Sequence, residues 1–383
     1  MRQAIARLPG SMIREVANAG LGRSDVLAFW FGESDEVTAT PVREAAAASL
    51  MRGETFYSHN LGLAELRAAL RDYTAALHGD PGDDRIVVTS AGVNGLMLAM
   101  QLLVDPGDEV LVVAPVWPNL PSQPLILGGV VKRAALRPDA QGAWRLDLQA
   151  LLASITPATR VLLVNAPNNP TGWTLTRAEQ QAILEHCRRT GTWIVADEVY
   201  ERVWFGPEAC APSFLDIADA ADRLIVVHSF SKSFLMTGWR LGWLVLPRGH
   251  LDAIGTLIEF NTSCAPVFAQ RGALAALASA GESVAPLVAH WRACRDTLCD
   301  ALAPLPGVLV ARPPGGLYAF LQLEGGTDSL GLAKRLVNEH GLGLAPGVAF
   351  GPEGEGWLRW CFASRDAGRL LDGVARLRHA LGL

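Results

Sequence analysis

The chain has 383 residues, of which half are hydrophobic and 19% charged, with a formal net charge of −5. That length accommodates one large α/β domain with a smaller one beside it, and the composition is far from that of a disordered segment. An acidic balance with no basic run longer than a pair excludes a nucleic-acid footprint, and no apolar stretch is long enough to span a membrane.

Met1-Arg2-Gln3 opens the chain without a hydrophobic signal core. The six cysteines (Cys187, Cys210, Cys264, Cys294, Cys299, Cys361) show no C-x-x-C spacing. They predict free thiols in a reducing cytoplasm and no structural metal site.

In chain order, Ser11 caps a predicted helix running to Ala19, and the apolar run Leu27–Phe31 breaks into a turn at Gly32. Gly32 suits a strand end, and its bare backbone also suits close approach by a ligand. Helices are predicted from Pro41 and over Ala64–Leu77, on either side of Tyr57-Ser58-His59-Asn60-Leu61-Gly62. Strand Ile86–Thr89 leads through Ser90-Ala91-Gly92-Val93-Asn94-Gly95 into a helix from Leu96. A small-residue turn at a helix N-terminus presents backbone N–H groups that suit an anion, although many αβ units need such a turn for packing alone.

Strand Val110–Val113 ends in Pro115-Val116-Trp117-Pro118, which predicts a stiff non-helical loop. Trp117 there is either a lid over a core edge or a stacking platform for a planar ligand. Strand Val161–Val164 precedes Asn168-Asn169-Pro170-Thr171-Gly172, and Thr176 with Glu179 forms a capping box. Strand Trp193–Ala196 runs into Asp197-Glu198-Val199-Tyr200, and Leu224–Val227 into Ser229-Phe230-Ser231-Lys232-Ser233, with one more strand over Leu241–Leu246. Beyond Ala275 the rhythm changes to a long helix, Val284–Leu302, then strands near Val308–Ala311, Tyr318–Leu323 and Leu358–Phe362, with helices over Leu330–Glu339 and from Ala367.

Strands separated by helices predict an α/β large domain with a mostly parallel, doubly wound sheet flanked by helices. A smaller α+β domain is expected from both termini, dividing the chain into 1–44 (arm), 45–275 (large) and 276–383 (small). Ligands of such sheets gather at strand carboxyl ends. Gly92, Trp117, Asn169, Asp197, Tyr200 and Lys232 all fall just after a strand.

Lys232 is one of only three lysines, with Lys132 and Lys334, among 33 basic residues. Arginine stays protonated, whereas a desolvated lysine amine can lose its proton and attack a carbonyl. Alone, the pentad suits a solvated loop lysine better. The convergence at strand ends favours a Schiff-base former.

Together these residues resemble the class I/II pyridoxal-phosphate-dependent aminotransferases of the aspartate-aminotransferase fold (fold type I), from about Leu27 to the end. Three segments carry the likeness in order: Asn169-Pro170-Thr171-Gly172, Asp197-Glu198-Val199-Tyr200, and Ser229-Phe230-Ser231-Lys232 with Arg240 eight residues further on. The resemblance implies pyridoxal 5'-phosphate as cofactor and transfer of an amino group between an L-amino acid and a 2-oxo acid by a ping-pong mechanism. It implies that Lys232 binds the cofactor and moves the proton, that Asp197 bonds the pyridine nitrogen, and that Tyr200 and Asn169 bond the phenolic oxygen. Trp117 would stack on the ring. Gly92, Val93, Ser229, Ser231 and Arg240 would hold the phosphate, with Tyr57 reaching it from the other subunit of a homodimer. Arg359, in Leu358-Arg359-Trp360-Cys361-Phe362, would clamp the substrate carboxylate, helped by Gly32, Trp117 and Asn169. Tyr318 is assigned to the small-domain core. Selectivity falls to loop residues such as Trp30, Phe31, Asn261 and Thr262.

Two departures stand out. Ala91 and Val93 occupy a turn where relatives often carry a hydroxyl. No Arg or Lys occurs between Leu251 and Gln270, where the aspartate-specific branch supplies a partner-subunit arginine for the distal carboxylate. A C–S β-lyase on the same fold is the alternative reaction. A more remote reading is a non-catalytic effector module, although the chain before Leu27 is too short for a DNA-binding domain.

Overall fold

The computed structural model describes residues 1–383. Seven strands make the main sheet: β1 (Ile86–Thr89), β2 (Glu109–Ala114), β3 (Val130–Ala135), β4 (Thr159–Asn165), β5 (Trp193–Asp197), β6 (Leu224–Ser229) and β7 (Gly242–Val245). Their spatial order is β1-β7-β6-β5-β4-β2-β3. The pairs from β6 to β3 are parallel, and β7 runs antiparallel to both of its neighbours.

Alternate residues of each central strand enter two separate cores. Val110, Val112, Val161, Leu163, Val195, Ile225 and Val227 pack with the helix Gly92–Leu103 on one face. Leu111, Val113, Leu162, Val164, Ile194, Ala196 and Val226 join the larger core on the other. Burial on both faces is why these strands read as unbroken apolar runs.

A second sheet contains β8 (Val308–Val310), β9 (Tyr318–Leu323), β10 (Ala345–Pro346) and β11 (Trp357–Cys361), ordered β8-β9-β11-β10 and antiparallel throughout. Helices Ala280–Leu302, Ser329–His340 and Ala367–Ala380 accompany it. The N-terminal segment joins this part of the molecule, because Leu27 and Ala28 pair in parallel with Leu342 and Gly343. Ser11 caps the helix Met12–Ala19, accepting from the Arg14 amide at 3.2 Å.

Some elements depart from expectation. The helix after β1 begins at Gly92 rather than Leu96. The Trp117–Pro118 loop is non-helical as expected, but the helix that follows it, Asn119–Leu127 with Pro124 inside, was not predicted. Strand β3 is absent from the sequence reading because it is an edge strand, with Lys132 and Arg133 interrupting its apolar pattern.

The capping box at Thr176 is present, its side chain accepting from the Glu179 amide and the Glu179 carboxylate accepting from the Thr176 N–H at 2.7 Å. Thr176→Ala should therefore cost about 1 kcal/mol, read as a lower urea midpoint with an unchanged denaturant slope.

Candidate active site

The parallel strands deliver their last residues to one edge. Asn165 and Asp197 are register partners at the ends of β4 and β5. The Asn165 amide group donates to the Asp197 main-chain oxygen at 3.0 Å, and its Oδ1 accepts from the Asn169 N–H at 2.8 Å. Asn169 is thereby fixed beside the strand end.

Asp197 is 2% exposed, and its carboxylate accepts one long hydrogen bond, 3.3 Å from the Val199 N–H. It forms no ion pair. Burial pushes its pKa up to about 7, against the Val199 bond and the charge of Lys232. An ionised carboxylate in such a place is costly without a cation.

Lys232 donates to the Gly32 carbonyl at 2.7 Å, and its amine lies 5.5 Å from the centroid of the Tyr200 ring. Desolvation lowers its pKa to about 8, opposed by Cys361 and Glu33 and aided by Arg359 and Arg240. The cleft around it is lined by Glu33, Ser34, Ser231, Thr237 and Leu317. Lysine and aspartate thus share a site without pairing.

On the neighbouring side, Gly92 is the first residue of its helix. A Cβ on Gly242 would stand 2.5 Å from the Gly92 nitrogen, so β7 must start with glycine to pass this helix end. Ala91 adopts φ 100°, a region that strains any residue with a side chain. Ser229 and Ser231 are buried and bond one another at 2.9 Å. Arg240 is held by a bond from Nη1 to the Thr237 carbonyl at 2.6 Å and has no carboxylate partner. Backbone amides, hydroxyls and a guanidinium thus gather on one side of the lysine, as an anion requires.

Arg359 enters from β11. It is 2% exposed, donates from Nη1 to Asn169 Oδ1 at 2.8 Å and also bonds the Trp30 carbonyl, while its Nε has no partner. Its guanidinium is sandwiched between the rings of Tyr318 and Phe350, 4.3 and 4.8 Å from their centroids. Trp117 is half-buried, and the Val116 amide before it bonds the Phe350 carbonyl at 2.9 Å. Tyr57 makes no hydrogen bond within the chain and is 89% exposed.

Tyr318 corrects the expectation of a purely core residue. Its hydroxyl lies 2.6 Å from that of Tyr200, and a Cβ on Gly32 would fall 1.9 Å from it. A strand periodicity fixes two faces but not which of them meets a distant loop, so the sequence held no signal for this.

Also unforeseen is a buried charge cluster behind Asp197. His78 bonds Asp216 at 2.8 Å and Glu201 at 3.0 Å. Burial opposes its charge, yet these bonds hold its pKa at about 10. Glu198, pushed up to about 8 by burial, accepts from Ser213 Oγ at 2.5 Å and the Phe214 N–H at 3.1 Å. The six cysteines are free thiols, as expected.

A family model described as aminotransferase class I and II matches residues 25–377. The chain belongs to this family, whose members move an amino group between an amino acid and a 2-oxo acid. It is 32% identical over 368 residues to a probable aspartate/prephenate aminotransferase of Aquifex aeolicus, covering 93% of this chain and 91% of the relative. It is also 32% identical over 340 residues to the arginine–pyruvate transaminase AruH of Pseudomonas aeruginosa, covering 88% and 85%. The solved aspartate aminotransferase of Thermotoga maritima superposes with a TM-score of 0.91 at 29% identity over the full length of both chains.

Because Asp197 titrates near 7 when folded and near 4 when unfolded, folding loses stability as pH rises between those values. Asp197→Asn should therefore raise the stability of the cofactor-free protein by roughly 1–3 kcal/mol at pH 8. The gain should be smaller at pH 5. Thermal melts of both proteins at the two pH values check this.

Proposed function

We propose that this aminotransferase works with pyridoxal 5'-phosphate held at the carboxyl edge of the main sheet. The single observation that carries this is the buried, cation-free Asp197 beside a lysine of lowered pKa. The donor set fits the group on every side. Asp197 suits a protonated ring nitrogen, Lys232 an aldehyde carbon, and Tyr200 with Asn169 a phenolic oxygen. Gly92, Val93, Ser229, Ser231 and Arg240 suit a phosphate, and Trp117 a ring face.

The cofactor supplies the electron sink that allows a bond at the substrate Cα to break heterolytically. Asp197, once matched by a cation, keeps that sink charged. Lys232, with its amine poised near neutrality, takes and returns the proton at Cα. Arg359 grips the substrate α-carboxylate with its planar fork, held by the Asn169 and Trp30 contacts and the two flanking rings. Asp197 and Arg359 are each 2% exposed, so water screens their charges little.

The active unit in this reading is a cytoplasmic homodimer. Phe56, Tyr57 and Phe260 are 84%, 89% and 87% exposed. Their segments are tied together by a hydrogen bond from the Asn60 side chain to the Gly255 carbonyl at 3.1 Å. An aromatic surface of this kind suits a second copy, which would bring Tyr57 to the phosphate. The absence of Arg and Lys over Leu251–Gln270 argues against a dicarboxylate preference through that segment.

Lys232→Ala should abolish both the visible absorbance of the bound cofactor and transamination, measured with a panel of L-amino acids against pyruvate, 2-oxoglutarate and oxaloacetate. Normal turnover by this variant would overturn the mechanism.

A further inference from the structure

Tyr200 and Tyr318 place two phenolic oxygens 2.6 Å apart in a buried site, with the rings edge to face at 75°. Burial keeps both protonated at neutral pH, raising Tyr318 to about 12 and Tyr200 well above its ordinary value. Two phenols at this distance hold two protons but need only one between them. The second O–H has no acceptor anywhere in the chain, and a buried donor is expensive to leave unpaired.

We infer that Tyr318 is a positioning residue, which donates its proton to Tyr200 and so directs the Tyr200 hydroxyl toward the cofactor's phenolic oxygen. The inference rests on the cofactor reading above and adds a residue to it. The direction of donation follows from charge. An anionic oxygen beside Tyr200 is a stronger acceptor than a neutral phenol, so Tyr200 gives its proton outward and Tyr318 fills the bond behind it. A hydroxyl that accepts one bond becomes a better donor of the next.

Tyr318 is well placed for this. It is fully buried, its ring lies against the Arg359 guanidinium, and its hydroxyl abuts Gly32, whose carbonyl holds Lys232. One residue therefore touches the carboxylate clamp, the loop that holds the lysine, and the phenol next to the cofactor. The other ionisable groups facing the pair are Arg359 and Cys361 from β11, Glu33 from the N-terminal loop, Asp197 from β5, and Lys232. Tyr318→Phe replaces none of them.

The test is a spectrophotometric pH titration of the lysine-bound cofactor in wild type, Tyr318→Phe, Tyr200→Phe and the double variant. Phenylalanine keeps the ring against Arg359 and removes only the hydroxyl. A weaker Tyr200 bond stabilises the ionised phenolic oxygen less, so the chromophore pKa of Tyr318→Phe should rise by about half a unit to one unit. In the Tyr200→Phe background the same substitution should add little, because the route through Tyr200 is gone. An unchanged pKa in Tyr318→Phe, or equal shifts in both backgrounds, would overturn the inference. So would a tenfold rise in the amino-acid KM with the pKa unmoved, which would assign Tyr318 to Arg359 alone. If wild type develops no chromophore with pyridoxal phosphate, the cofactor reading fails first and takes this inference with it.

Discussion

A carboxylate at the end of a strand buried on both faces is a destabilising choice for any protein. Asp197 occupies such a position, and the structure does not relieve it with Lys232, whose amine is bonded instead to the Gly32 carbonyl. A direct ion pair would stabilise the carboxylate and also raise the amine's pKa, making it a poor nucleophile. Holding the two apart keeps the aspartate ready for a foreign cation and the amine ready to lose a proton. The fold supports this separation, because β5 presents the acid while the chain after β6 brings the lysine round from the adjacent strand.

The second sheet completes the site from the opposite side. Arg359 is packed between Tyr318 and Phe350 and pinned to Asn169, which is itself positioned by Asn165 at the end of β4. The carboxylate clamp is thus mechanically continuous with the strand end that carries the acid. Gly32 joins the same point from the N-terminal segment, and only a residue without Cβ leaves room for the Tyr318 hydroxyl. Behind the acid, His78 pairs with both Glu201 and Asp216, and Arg177 gives Asp216 a second cation, so these carboxylates need no help from the site.

The parts legible in the sequence were those encoded locally. The runs around Val161, Ile194 and Leu224 identified central strands because both sheet faces are buried, and the residues that follow them had to lie at one edge. The scarcity of lysine drew notice to Lys232, and the capping box at Thr176 appeared where its spacing placed it. Contacts across long separations were not legible. Tyr318 meets Tyr200 across 118 residues, and His78 meets Glu201 and Asp216 across 123 and 138. Strand β3 escaped because an exposed edge carries charge where a central strand carries valine.

The most direct test of the account is a single half-reaction. The protein is loaded with pyridoxal phosphate and mixed with an accepted L-amino acid in the absence of any 2-oxo acid, and the products are counted. A change in the cofactor's absorbance and one equivalent of 2-oxo acid per site are expected, after which the reaction stops, with no ammonia released. Continuing turnover with ammonia and pyruvate from a cysteine conjugate would assign the site to elimination instead, and contradict the account.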